Sequence, residues 1–301
     1  MKNYSSRKKK SKKKYVEYDY SSTFGNNTNT LNEWMIEHML KTKNTSVAYA
    51  TKEYRLQEQL EIEIYPEFTR KEIEGDKSIK KVNKKAQKNL NDKNSRKYLI
   101  RLVNKNFRDG DYWLTVTYDA KNLPSSIEQA QRDARNYIKR INYHLKKKGL
   151  PNAKYVYITE YNEKNSKNEH SVRFHHHIII SCGLSMDEVE GLWKKGARNE
   201  IRRIKRDEYG IVGLAKYVSK AKKTVKNEKR WCSSTNLEKV TFRKNHYKFK
   251  KKRVNEMIRD NNLIKHYMEV TYKDYYLLDA ETYFNDVNAR WYISARMRRR
   301  D

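Results

Sequence analysis

One stretch, SVRFHHHIIIS (Ser171–Ser181), limits the choice of fold more than any other part of the chain. Its aromatic and β-branched residues favour an extended strand. Side chains alternate across a strand, so His175 and His177 must share one face, while His176 points to the other with Val172, Phe174, Ile178 and Ile180. One face is therefore for packing, and the other presents a pair of imidazoles. A strand built this way needs partners on its edges and a layer behind it.

Those partners are legible nearby. DYWLTVTYD (Asp111–Asp119) reads as a strand entered through a turn at Gly110, and AKYVYITEY (Ala153–Tyr161) reads as another, joined to the histidine strand by a polar hairpin tip. Between them Ser125 and Glu128 have capping-box spacing. Ile127, Ala130, Ala134, Tyr137, Ile138, Ile141 and Leu145 then recur at three and four residues up to Gly149, the stripe of an amphipathic helix. Ser185 and Glu188 repeat the box before a short helix ending near Trp193. A further strand is expected around Arg198–Lys205, and a helix from Tyr209 to about Lys223 with Ile211, Leu214, Ala215 and Val218 on one face. The order β-α-β-β-α-β-α predicts an α+β fold, an antiparallel sheet with packed helices of the ferredoxin-like kind, carrying N- and C-terminal extensions.

Two imidazoles two residues apart on one strand face can grip a single cation. Glu160, at the end of the paired strand, is the expected third ligand, with Glu163 and Glu169 of the same hairpin as alternatives. Three protein ligands leave positions open for water or phosphate oxygens, the arrangement of a catalytic rather than a structural site. Imidazole plus carboxylate suits Mn²⁺ or Mg²⁺, and zinc accepts the same set. Set against this is the plain reading of a histidine run on a basic protein.

The charge points to the substrate. Lys plus Arg number 68 and Asp plus Glu 37, a net +31 that attracts polyanions, and nucleic acid is the leading partner. Lys, Asn, Tyr and Ile all come from A/T-rich codons, which accounts for part of the excess. The two cysteines, Cys182 and Cys232, are too few for a disulfide framework or a thiolate zinc site, and fit a reducing cytoplasm. With no apolar run near the roughly 20 residues of a membrane span and no apolar segment after the basic N-terminus, a soluble, unsecreted protein is expected. With 24 tyrosines the core should be tyrosine-rich.

A nucleophile is harder to read. Tyr217 and Lys220 stand at i and i+3 on the last helix, phenol beside ammonium. The same YxxK pattern also begins at Tyr49, Tyr118, Tyr143, Tyr161 and Tyr247, so only position distinguishes Tyr217. It flanks the apolar stripe of a helix expected to pack on the sheet.

Taken in order, LTVTY (Leu114–Tyr118), FHHHIII (Phe174–Ile180) and YVSK (Tyr217–Lys220) resemble the three motifs of the HUH-type rolling-circle replication initiators. AQKNLNDKNSRKYLIRLVNKNFRDGD before them and EKRWCSSTNL after them resemble the replication-associated proteins of bacterial plasmids and phages. The resemblance covers roughly residues 60 to 240. It implies a metal-dependent endonuclease in which His175, His177 and Glu160 hold a divalent ion on the scissile phosphate. Tyr217 would attack phosphorus with Lys220 nearby, leaving a 3′-hydroxyl and a protein-linked 5′-phosphate. Some members carry a second tyrosine where this chain has Ala221, so a one-tyrosine form is implied. No GxxxxGK[ST] loop occurs in the sequence, and a host helicase and polymerase are expected to act in trans on a replication-origin hairpin. A transposase or relaxase with the same chemistry, and a non-catalytic nucleic-acid-binding protein, are the rival readings.

The expected organisation is a basic tail over 1–30, an accessory region over 31–105 with a helix at LNEWMIEHML and a strand at QLEIEIY, the catalytic domain over 106–225, and a basic, aromatic-rich region over 226–301. Lys216 and Arg230 flank the tyrosine motif. Arg243, Lys248 and Lys250 lie in FRKNHYKFKKKR, where Phe242, Tyr247 and Phe249 are interleaved for base stacking. These five cations are the candidate DNA contacts. Tyr267–Tyr292 is expected to add strands to the core.

Overall fold

The computed structural model describes residues 15–16, 46–69, 84–162, 172–213, 231–285 and 290–300. The helix expected at LNEWMIEHML, the hairpin tip 163–171, the segment 214–230, and the basic tail apart from Tyr15 and Val16 lie outside these residues. In chain order the elements are β1 (Tyr15–Val16), β2 (Ser46–Leu56), β3 (Gln59–Thr69), α1 (Lys84–Asn106), β4 (Tyr112–Thr117), α2 (Ile127–Lys147), β5 (Lys154–Asn162) and β6 (Val172–Ser181). There follow α3 (Met186–Gly191), β7 (Glu200–Arg203), β8 (Cys232–Ser233), β9 (Arg243–Asn245), α4 (Lys251–Arg259), α5 (Asn262–Thr271), β10 (Tyr275–Asn285) and β11 (Arg290–Arg299). The fold is mixed α+β. No helix among the described residues is long and apolar enough to cross a membrane.

Contacts divide the chain into two units, one formed by residues 1–54, 60–93 and 242–301, the other by 55–59 and 94–241. The second holds a five-stranded antiparallel sheet in the order β7-β4-β6-β5-β8. Without β8, this is the ferredoxin-like arrangement, in which the two central strands are the first and third of the β-α-β-β-α-β run. β6 thus lies between β4 and β5.

Alternation then assigns two cores to the two faces of one sheet. On one face Leu114, Val116, Tyr157, Ile178 and Ile180 meet Ala134, Tyr137, Ile138, Ile141 and Leu145 of α2, together with Val189 of α3, Leu192 and Trp193. On the other, Val156, Ile158 and Ile179 meet Leu99, Leu102 and Val103 of α1, with Ile204 and Ile211. Each fully buried aliphatic side chain stabilises by about 1.5–3 kcal/mol. Buried phenols find acceptors: Tyr137 donates to the Val189 carbonyl at 2.7 Å and Tyr112 to that of Leu184 at 3.0 Å.

All seven stripe positions of α2 are buried. Its cap is one residue later than the Ser125/Glu128 spacing predicts. Ser126 Oγ accepts from Gln129 N, while Ser125 bonds the Gln129 side chain, because S-x-x-E and S-x-x-Q overlap here and the second frame takes the cap. At the other end Gly149 has φ +68°, a left-handed position that a side chain would strain, and it stops the helix. The Ser185/Glu188 box forms as expected. The helix expected from Tyr209 does not start there, since Asp207 and Gly210 exchange backbone hydrogen bonds in a tight turn.

The first unit has a six-stranded sheet in which β10-β11-β3-β2-β9 are neighbours in that order and β1 pairs β3. QLEIEIY is within β3, with Leu60, Ile62 and Ile64 buried against Val254 and Met257 of α4 and Ile264 and Met268 of α5. The tyrosine-rich segment becomes the β10-β11 hairpin, in this sheet and not in the sheet of the histidines. Phe249 is a correction: expected as a stacking surface, it is 1% exposed and packed in this core.

Candidate metal centre

β6 is positioned by its pairing on both sides. His175 lies opposite Glu160 of β5 and Thr117 of β4, and His177 lies opposite Ile158 and Thr115. The ligand atoms of Glu160, His175 and His177 come within 4.8 Å of one another. The two Nε2 atoms are 3.2 Å apart, and Glu160 Oε2 is 3.5 Å from that of His175 and 3.3 Å from that of His177. Three ligands at about 2.0–2.2 Å from one ion have edges of this size. Two imidazole nitrogens and a carboxylate oxygen this close place three lone pairs on one point, so the donor set fits a cation.

The far nitrogens are committed elsewhere. His175 Nδ1 is 2.9 Å from the Arg173 carbonyl, which can only accept, so Nδ1 carries the proton and Nε2 of the neutral ring keeps its lone pair. His177 Nδ1 is 3.1 Å from Thr115 Oγ1, and the Trp113 ring stacks on the His177 ring at 5.1 Å and 10°. Hydrogen bonds from His175 and His177 hold the Glu160 carboxyl well below the usual carboxylate range, against the effect of burial. Burial pushes His175 down, but the bonds to Glu160 and to the Arg173 carbonyl outweigh it and raise its pKa. A proton or a metal ion can thus serve as the positive centre.

His176 faces the α2 core and is fully buried. Its Nε2 is 2.8 Å from the Tyr118 hydroxyl and its Nδ1 3.0 Å from Thr159 Oγ1. Burial and the two neighbouring imidazoles lower its pKa to about 3, which keeps it neutral. Tyr118 is removed from contention as a nucleophile, being 6% exposed with its pKa pushed up by burial and by Asp133.

Tyr217, Lys220, Lys216 and Arg230 lie outside the described residues, as do Glu163 and Glu169. Arg243 in β9 and Lys250 at the N-cap of α4 are exposed in the first unit. Lys248 is not an open cation. Its Nζ is 2.6 Å from Glu53 Oε1 and lies over the Tyr272 ring at 4.2 Å, so a buried carboxylate takes the charge expected to meet phosphate. Of the aromatics between these cations, Tyr247 is 83% exposed, whereas Phe242 packs against Tyr54.

Thr115 and Trp113 escaped the sequence reading. Alternation in YWLTVT places both on one strand face, but only the pairing of β4 with β6 shows that this is the face of His177.

The centre lies within a recognisable stretch. Residues 111–222 match the family model for the replication-associated protein ORF2. No curated protein and no solved structure matches the chain. The family match spans β4 to β7 and so takes in Glu160, His175 and His177. It also includes Tyr217 and Lys220.

Proposed function

We propose that the chain is a rolling-circle replication initiator, an endonuclease that nicks and rejoins single-stranded DNA through Tyr217. The convergence of Glu160, His175 and His177 on one point, inside the stretch that matches the replication-associated family, carries this reading.

Glu160 and the two histidines would hold a divalent ion, Mn²⁺ or Mg²⁺ suiting the set, and its chemistry would be to polarise the scissile phosphate. The phenol of Tyr217, with an unperturbed pKa of about 10, is a weak nucleophile until its proton leaves. Its oxygen attacks phosphorus, the P–O3′ bond breaks, and the departing 3′-oxygen gains a proton. One phosphoester replaces another, so rejoining is the reverse step and needs no nucleotide cofactor. Lys220, three residues from Tyr217, would neutralise charge on the phosphate. Thr115 and the Arg173 carbonyl keep the ligand rings in orientation.

The test is a covalent-adduct assay on single-stranded origin-hairpin oligonucleotides with Mn²⁺. The unaltered chain should form an adduct that chelation prevents, and Tyr217→Phe should bind the oligonucleotide without forming one. An adduct from Tyr217→Phe would overturn the choice of nucleophile. Adduct formation by His175→Ala and His177→Ala would overturn the metal centre.

A further inference from the structure

We propose that a cavity beside the metal centre receives one unstacked base of the bound single strand. This deepens the reading above and rests on it. The cavity has a volume of about 270 Å³ and is lined by Trp113, Arg202, Lys205, Asp207, Ile211 and Gly213, among others. A cavity of that size is on the scale of one nucleotide, and too small for a stack of bases.

Its place in the sheet connects it to the site. Trp113 pairs with Arg202 across β4 and β7, and Thr115, two residues further along the same face of β4, pairs with His177. The two pairs are about 7 Å apart along the strand. Trp113 therefore belongs to both places, lining the cavity and stacking on the ring of a metal ligand. A strand whose phosphate sits at Glu160, His175 and His177 has an adjacent nucleotide within reach of Trp113.

The lining sorts the parts of that nucleotide. Trp113 and Ile211 give aromatic and aliphatic walls, which suit the face of a base. The Asp207 carboxylate disfavours a phosphate inside. Arg202 and Lys205 are exposed at the edge strand and just beyond it, where they can meet the phosphates on either side. Arg202 is ion-paired with Glu200, but both are solvent-exposed and such pairs contribute little, so a phosphate can compete for the guanidinium.

A binding assay tests this without requiring strand cleavage. Oligonucleotides carrying one abasic position each, stepped across the origin hairpin, are titrated into full-length Tyr217→Phe protein with Mn²⁺ and followed by fluorescence anisotropy. One abasic position flanking the nick should weaken binding about tenfold, the loss of a single stacked base. Adding Trp113→Ala should abolish the penalty at that position alone. Gly213→Leu should do the same by filling the cavity from its wall, because a Cβ there meets nothing within 4 Å and Trp113 stays in place. A penalty that survives both substitutions, or a uniform loss over all oligonucleotides, overturns the inference. An adduct formed by the unaltered chain without any position effect sinks the base cavity alone. A position effect without an adduct sinks only the nicking reading.

Discussion

Thr115 Oγ1 stands 3.1 Å from His177 Nδ1, and this contact from the neighbouring strand holds the ring with Nε2 turned to Glu160 and His175. Removing such an orienting partner typically costs 10–100-fold in metal affinity. Thr115→Val should therefore weaken Mn²⁺ binding by about that factor in calorimetry, with the circular dichroism spectrum unchanged. Unchanged affinity would show that the stacked Trp113 ring alone fixes His177.

His176 and its neighbours should separate stability from metal binding. His176→Ala opens a cavity and leaves the Tyr118 and Thr159 hydroxyls without the partner they share, a loss of about 3 kcal/mol in urea unfolding. His175→Ala, at a half-buried position, should lose the ion and cost at most about 1 kcal/mol. Similar destabilisation by both would contradict the division of the strand into a packing face and a metal face.

Two basic side chains close in sequence should behave differently. Lys248→Ala strips a buried carboxylate, Glu53, of its cation and leaves it the Tyr272 hydroxyl, for a loss of about 2 kcal/mol. Arg243→Ala is exposed and should change stability by less than about 0.5 kcal/mol. In a DNA-binding titration the order should reverse, with Arg243→Ala reducing the salt dependence and Lys248→Ala leaving it unaltered. A salt dependence lowered equally by both would return Lys248 to the DNA contacts.

Glu188 closes the cap of α3, and its pKa is lowered to about 2, first by the bond from Lys148 and then by that from the Ser185 backbone. A depressed folded-state pKa stabilises above the ordinary value of 4.5, and the contribution is lost as pH falls through about 2. The Tm difference between the unaltered chain and Glu188→Gln should be widest above pH 5 and close towards pH 2. A difference independent of pH would mean that the carboxylate charge plays no part in the cap.

Much of the second unit was legible because its elements have strong periodicity. The alternation in YWLTVT and VRFHHHIIIS and the α2 stripe are local patterns, and local patterns survive without knowledge of the partner. Glu160 was legible for the same reason, since a hairpin brings together residues near in sequence. Register between distant strands is not written locally, so the role of Thr115 was hidden until β4 was placed beside β6. The burial of Phe249 was hidden likewise, because it depends on β2 and β3, nearly 200 residues earlier in the chain. Ser126 in place of Ser125 shows a smaller limit: when two overlapping frames offer the same chemistry, only the backbone geometry chooses between them.

The three successive imidazoles of β6 also act as an alignment mark. Because neighbours in a strand face opposite ways, a slip by one residue would turn His175 and His177 into the α2 core and leave His176 alone beside Glu160. Two polar rings would then sit among Ile141, Tyr137 and Trp193 with a single partner set between them. The strand should consequently accept many replacements one at a time, yet a single inserted or deleted residue ahead of His175 should cost the fold and the metal together.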